Sequence, residues 1–165
     1  MGAGKSSVGR CLQSRTGLVR FDVDEIISTR FQLSIPQIFS TYGEERFRDA
    51  ETEVLRELSP NLSSIIVTGG GIVLRKENID LLKRLGTVVW LDAGEETLFE
   101  RATRKGERPL LQTDEPRARF SEMLRIRAPL YANSAEIRIG TSELTHEEVA
   151  DAILNRIDNL VLSKK

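Results

Sequence analysis

The first residues able to do chemistry stand at the start of the chain, in Met1-Gly2-Ala3-Gly4-Lys5-Ser6-Ser7. Gly4-Lys5-Ser6 is the second half of the phosphate-binding pattern G-x-x-x-x-G-K-[ST]. Glycines let the backbone close on a phosphate, so that successive N–H groups turn into one concavity. In that pattern the lysine, here Lys5, neutralises β- and γ-phosphate charge, and the serine hydroxyl, here Ser6, holds Mg²⁺. A helix starting near Lys5 adds its positive N-terminal end to the same anion site. The first glycine of the pattern and the strand that leads into it are not among the 165 residues. The expectation is that roughly ten residues, one strand and that glycine, belong ahead of Met1. Without them, the strands read at 65–68 and 88–91 lack a shared neighbour and leave an apolar slot.

A second group of reactive side chains is acidic. Leu18-Val19-Arg20-Phe21 reads as a short strand running into Asp22-Val23-Asp24-Glu25. Ligands of open α/β sheets sit at the C-terminal ends of strands, where these carboxylates fall. One of the pair, Asp22 or Asp24, can hold magnesium through water while the other accepts a proton from a substrate hydroxyl. The competing reading is helix capping, since Asp24 precedes Ile26 and Ile27. Arg48 and Glu51, three apart on a helix, can touch, and Glu51 can orient Arg48 toward an anionic substrate. Gly69-Gly70-Gly71 follows an apolar strand. Three glycines cost backbone entropy, so a ligand's close approach is a better reason for them than packing, with a flexible turn as the alternative.

These groups need a frame that holds strand ends together. Helical spacing is read over 6–16, over 26–39 with a break at Ser34-Ile35-Pro36, and over 44–58 after Tyr42-Gly43. Further helices are read over 72–85, 95–105, 117–128 (ending at Pro129-Leu130-Tyr131) and from a Thr145/Glu148 capping box onward. Strands are read at 18–21, 64–68, 87–91 and 136–139, with Trp90 as core. Cys11 reads as a small inward-facing hydrophobe and His146, the single histidine, as surface. Strand–helix alternation predicts an α/β fold, a three-layer α/β/α sandwich on a parallel sheet, in one domain over 1–165. A polar, basic segment near 106–117 predicts a lid that closes over the γ-phosphate.

Composition narrows the class. With 24 basic and 25 acidic residues and a formal net charge of −1, nothing in the charge balance calls for nucleic acid or a membrane surface. No apolar run approaches the roughly 20 residues of a spanning helix. One cysteine forms no internal disulfide, which suits a reducing cytosol, and a cytoplasmic location is expected.

The ordered series of motifs resembles the shikimate kinase family. It consists of Gly2-Ala3-Gly4-Lys5-Ser6-Ser7-Val8-Gly9-Arg10, Phe21-Asp22-Val23-Asp24, Ile38-Phe39, Gly43-Glu44, Phe47-Arg48 with Glu51, Gly69-Gly70-Gly71, Arg108-Pro109-Leu110-Leu111 and Arg127-Ala128-Pro129-Leu130-Tyr131. The resemblance implies a P-loop kinase fold, and transfer of the ATP γ-phosphate to the 3-hydroxyl of shikimate in aromatic amino-acid biosynthesis. It further implies ATP bound by Gly2, Ala3, Gly4, Lys5, Ser6, Ser7, Arg101 and Arg108, with Arg101 against adenine and Arg108 as the lid arginine. Asp24 would contact the accepting hydroxyl as base or orienter. Arg48 and Arg127 would hold the shikimate carboxylate beside Gly69, Gly70 and Gly71. Mg²⁺ would be reached by Ser6 and, through water, by Asp22. The resemblance also implies a helical substrate-binding region over 26–58, and a monomer is expected. Two other readings stay open: a related small-molecule kinase of the gluconate type, and a non-catalytic kinase-like protein.

Overall fold

The computed structural model describes residues 2–104 and 109–163. Helix α1 (Lys5–Thr16) leads into strand β1 (Val19–Asp22), which passes directly into α2 (Val23–Phe31). Helix α3 (Ile35–Glu57) is bent at Gly43, whose φ of 81° and ψ of 167° leave the helical region. Its start is set by a capping box in which Ser34 and Gln37 satisfy each other's ends, with Pro36 in the first turn. Strand β2 (Ser64–Val67) ends in the glycine turn. A 3₁₀ turn (Ile72–Leu74), α4 (Lys76–Leu85), β3 (Val89–Asp92) and α5 (Glu95–Thr103) follow. A second 3₁₀ turn (Pro109–Leu111), α6 (Pro116–Ser134), β4 (Ile137–Gly140) and α7 (His146–Ser163) complete the described chain. The predicted Thr145/Glu148 box is present at the start of α7, with Thr145 N–H donating to Glu148 at 2.8 Å and Glu148 N–H donating back to Thr145 Oγ1 at 3.2 Å.

All strand pairing among the described residues is parallel, and it forms two pairs, as expected for strands at 65–68 and 88–91 that lack a shared neighbour. Strand β1 runs beside β2 with Asp22 opposite Val67, and β3 beside β4 with Asp92 opposite Gly140. Strands β2 and β3 are not hydrogen-bonded to each other. A cavity of about 90 Å³ reaches both, lined among others by Val73, Leu82, Val89, Leu91, Leu98 and Tyr131.

Period-2 alternation places helices on both strand faces. On β2, Ile66 packs into the α2–α3–α4 cluster, whereas Val67 meets α1 so closely that a Cβ on Gly9 would stand 2.5 Å from its methyl. On β4, Ile137 and Ile139 face Val8 of α1 and Val149 and Ile153 of α7. Trp90 of β3 turns the other way, toward Tyr131 of α6, ring centroids 5.8 Å apart, with the Arg138 guanidinium 4.5 Å from its ring centre. It is half-buried, not the interior residue expected. The largest core joins Val23 and Ile27 of α2, Ile38, Val54 and Leu55 of α3, and Leu81 of α4. Each such side chain contributes about 1.5–3 kcal/mol by leaving water.

Three helix boundaries differ from the periodicity. Helix α2 begins at Val23 and not at 26, which puts Asp24 inside its first turn and not at the cap. The segment expected as one helix over 72–85 starts as a 3₁₀ turn, because the buried Asn78 amide holds the Ile72 carbonyl at 3.2 Å, and α4 begins only at Lys76. Helix α6 does not stop at Pro129 but continues to Ser134. Proline removes one helical donor, a local cost that the anchoring of Tyr131 and Leu130 against the core cluster outweighs. Cys11 is only half-buried. Among the described residues no helix is long and apolar enough to cross a membrane.

Candidate functional site

The parallel register decides where the chemistry gathers. With Asp22 opposite Val67, the acidic turn after β1 lies beside the glycine turn after β2. Both stand at the C-terminal strand ends, facing the start of α1.

That start is built as an anion cradle. Gly2 and Gly4 have φ of +75° and +79°, the left-handed region that side chains avoid, and a Cβ on Gly2 would lie 2.3 Å from the Leu98 carbonyl oxygen. Gly4 is the N-cap of α1 and offers no side chain to cap it. The first-turn N–H groups therefore face the cavity of about 640 Å³ that Gly2, Ala3, Gly4, Lys5, Ser6 and Ser7 line. Asp22 and Asp24 line the same cavity from below, and Arg101, Thr141 and His146 from the far side. Asp22 is buried and receives a hydrogen bond from Arg20 Nη1 at 3.1 Å, while the other arm of Arg20 reaches Glu25 at 2.8 Å. Arg101 is held in place by three acceptors: Thr141 Oγ1 at 3.3 Å and the carbonyls of Thr141 at 3.1 Å and Ser142 at 3.2 Å. It thus bolts α5 to the turn after β4.

A second, smaller cavity of about 90 Å³ opens on the other side of the glycine turn. Its polar wall is Asp24, Glu44, Arg48, Glu51 and Arg127, and its apolar wall Ile35, Phe39, Phe47 and Leu110. Gly69, Gly70 and Gly71 form its floor. Asp24, Gly69 and Gly70 belong to both cavities, so the two meet there. Arg127 is buried on α6 at 7% exposure. Arg48 lies half-buried, its Nη1 donating to the Gly71 carbonyl at 3.4 Å and its Nη2 to Glu44. The expected Arg48–Glu51 contact is replaced by this Glu44 pair at spacing i, i+4, since Glu51 points into the interior. Burial first, and repulsion from Asp24 second, push the Glu51 carboxyl up to about 7 against the opposing pull of Arg48, Arg127 and Arg75.

The glycine turn is clamped, which removes the flexible-turn reading. Tyr131 Oη donates to the Gly70 carbonyl at 2.5 Å, Leu74 N–H to Gly71 at 3.0 Å and Ile72 N–H to Gly69 at 3.4 Å. Burial pushes the Tyr131 phenol up, so it remains a donor. The reason for glycine at 69 is also more specific than expected. A Cβ there would stand 3.1 Å from Glu51 Oε1 and 3.2 Å from Asp24 Oδ1, so this chain's own carboxylates occupy the space.

Of the expected site residues, all but Arg108 line one of these two cavities. Arg108 lies outside the described residues. The sequence reading missed two participants. His146 was expected as plain surface; it is exposed but lines the larger cavity, with Nε2 3.0 Å from the place of a Cβ on Gly4. Arg20 was read only as part of a strand, yet it fixes the Asp22 carboxylate. The cue for Arg20 was its i, i+2 spacing from Asp22 on one strand face. No local cue exists for His146, which meets Gly4 only through the packing of α7 on α1.

A family model of shikimate kinase matches residues 1–158. The chain belongs to the shikimate kinase family. It is 43% identical over 160 residues to the shikimate kinase of Thermodesulfovibrio yellowstonii, covering 97% of this chain and 92% of that protein. It is 41% identical, with the same coverage of both chains, to that of Actinobacillus pleuropneumoniae serotype 5b. Shikimate kinase from Acinetobacter baumannii in complex with shikimate superposes with a TM-score of 0.90 at 38% identity, over 100% of this chain and 90% of that one. The enzyme from Aquifex aeolicus superposes with a TM-score of 0.80 at 35% identity, over 98% and 94%. The chain is thus an ATP-dependent kinase of P-loop α/β fold, acting in aromatic amino-acid biosynthesis.

Proposed function

We propose that phosphoryl transfer to the 3-hydroxyl of shikimate takes place where the two cavities meet, at Asp24 and Gly69-Gly70. That shared lining is the observation that supports the reading: one large cavity on a phosphate cradle, one small cavity on an arginine pair, and a carboxylate common to both. ATP lies in the larger cavity with its phosphates on the N–H groups of Gly2–Ser7 and its adenine against Arg101. Lys5 compensates charge on the β- and γ-phosphates. Asp24 takes or orients the hydroxyl hydrogen of the acceptor, and Arg48 and Arg127 hold its carboxylate. Guanidinium suits that role because it presents a fixed donor fork and stays charged at every working pH.

The donor set fits Mg²⁺. Ser6 and Asp22 offer hard oxygens to one cavity, and no group of three or more His, Cys, Asp or Glu side chains is arranged for a metal among the described residues. Such a sparse set suits an ion that keeps several waters and takes its other oxygens from phosphate. Bound there, Mg²⁺ supplies neutralisation of the phosphate charge that builds in the transition state. Arg20, by fixing Asp22, is a positioning residue for this site. The near-neutral charge balance supports an enzyme that works without nucleic-acid or membrane-surface partners, and the single free cysteine suits a reducing cytosol.

A coupled ADP-release assay tests the substrate assignment: rapid turnover with shikimate and none with gluconate is expected, and the reverse overturns it. Arg48→Ala is expected to raise the shikimate KM by roughly 10- to 100-fold, the loss of a charge-assisted hydrogen-bonded contact, with a small change in kcat. An unchanged shikimate KM would remove Arg48 from the carboxylate fork. Arg108→Ala is expected to lower kcat by roughly 10³-fold or more, as loss of an arginine finger does. An unchanged kcat would move the lid arginine elsewhere.

A further inference from the structure

Glu51 is a buried carboxyl that the proposed reaction does not use. It is 1% exposed, one turn beyond Arg48 on α3, and its Oε1 has no hydrogen-bond partner among the described residues. It does not sit apart from the site. The point where Gly69 would carry a Cβ is 3.1 Å from Glu51 Oε1 and 3.2 Å from Asp24 Oδ1, so the two carboxylates are neighbours across that glycine. Each element packed around it brings a charged or titratable group: Asp24 from α2, Arg48 and Glu44 from α3, Arg127 and Tyr131 from α6, and Arg75 from the turn before α4. Arg75, paired with Asp49 at 2.8 Å and with Glu45, does not line the small cavity. Arg127 and Arg48, the latter paired with Glu44, do line it and are therefore the cations whose state changes when a ligand enters.

We infer that Glu51 is a proton acceptor linked to substrate: it takes up one proton from solvent as the shikimate carboxylate settles on Arg48 and Arg127, and returns it when the acceptor leaves. This rests on the assignment of Arg48 and Arg127 to that carboxylate. The direction follows from the charges. In the empty site the two guanidinium groups favour the ionised carboxyl, while burial and Asp24 oppose it, a balance that falls at about 7. An arriving carboxylate engages both guanidiniums and adds a negative charge nearby. Both changes disfavour ionised Glu51 and raise its affinity for a proton. The chemistry is a plain proton transfer from water or buffer to a carboxylate oxygen, with no bond to shikimate formed or broken. By linkage, shikimate then binds more weakly as pH rises above about 7, approaching a tenfold loss per pH unit until the liganded enzyme itself deprotonates. Below about 6 the proton is already in place, and Glu51 contributes no further pH dependence. Glu51 is thus a positioning residue for charge: its proton removes a competitor for the arginine fork when that fork is filled.

Isothermal titration of the intact enzyme with shikimate at pH 7.5, in phosphate and in Tris, reads the linkage directly. The expected result is a heat that differs between buffers by the ionisation enthalpy of roughly half a proton or more taken up per shikimate bound. Between pH 7 and 8.5 the Kd should weaken by roughly 5- to 20-fold. Glu51→Gln, which keeps the shape and the neutral state, should bind with buffer-independent heat and a flat Kd. Binding by the wild type with the same heat in both buffers overturns the inference, as does proton uptake retained in Glu51→Gln. The wild-type buffer pair can overturn the inference by itself, so a variant that fails to fold leaves it falsifiable. Failure of the wild type to bind shikimate at all would instead overturn the assignment of the small cavity, a distinguishable outcome.

Discussion

Asp24→Asn is expected to lower kcat by about 10²- to 10⁴-fold, the usual contribution of a positioned proton acceptor, while the shikimate KM moves far less. The asparagine keeps the shape of the side chain and can still accept a hydrogen bond from the hydroxyl, so binding survives. It cannot take the proton, so the attacking oxygen keeps it into the transition state. Because phosphoryl transfer is largely dissociative, with little bond formation to the attacking oxygen, the lower half of that range is the expected value. Asp24 stands at the junction of the two cavities, on the first turn of α2 and across Gly69 from Glu51. No other carboxylate lines both cavities among the described residues, so no neighbour replaces it. Single-turnover measurement with saturating ATP and shikimate checks the effect. A loss below threefold would reduce Asp24 to an orienting role.

Lys5→Ala is expected to be as severe by a different route. Removing one preorganised cation from a transferring phosphoryl group costs about 10²- to 10³-fold in kcat, and the ATP KM should rise as well because the same ammonium holds the ground-state phosphates. Lys5→Arg should not restore activity, since a bulkier planar fork cannot occupy the place of a compact point charge between β- and γ-phosphates. The fold should be unaffected, because Lys5 is the first residue of α1 and lines the larger cavity, whereas Val8 and Gly9 make the helix's buried contacts. ADP release and a thermal melt on the same preparation separate the two. Lost activity together with a large drop in Tm would mean that Lys5 is structural.

Much of the site was legible because its signals are local. Glycines at 2 and 4 answer to backbone angles, Lys5 and Ser6 to their place at a helix start, and the Thr145/Glu148 box to hydrogen bonds three residues apart. Apolar residues bounded by turn residues located every described strand to within two residues, because each strand turns at least one face into a helix-covered core: Phe21 of β1, Ile66 and Val67 of β2, Leu91 of β3, and Ile137 and Ile139 of β4. Helix ends were less legible. Pro129 is a stop signal by propensity alone, and only the docking of Tyr131 on Gly70 carries α6 through it.

The sequence by itself determined the phosphate cradle, the acidic turn after the first strand, the glycine turn, the arginines and the parallel α/β class, since each depends on residue types a few positions apart. Tertiary structure alone decided which of them meet. It set Glu51 against Asp24 across Gly69, gave Arg48 to Glu44 and brought His146 to Gly4. The reason is physical. Local signals report the energy of a few neighbouring residues, whereas a buried charge takes its partners and its proton from groups that the packing of whole helices places around it.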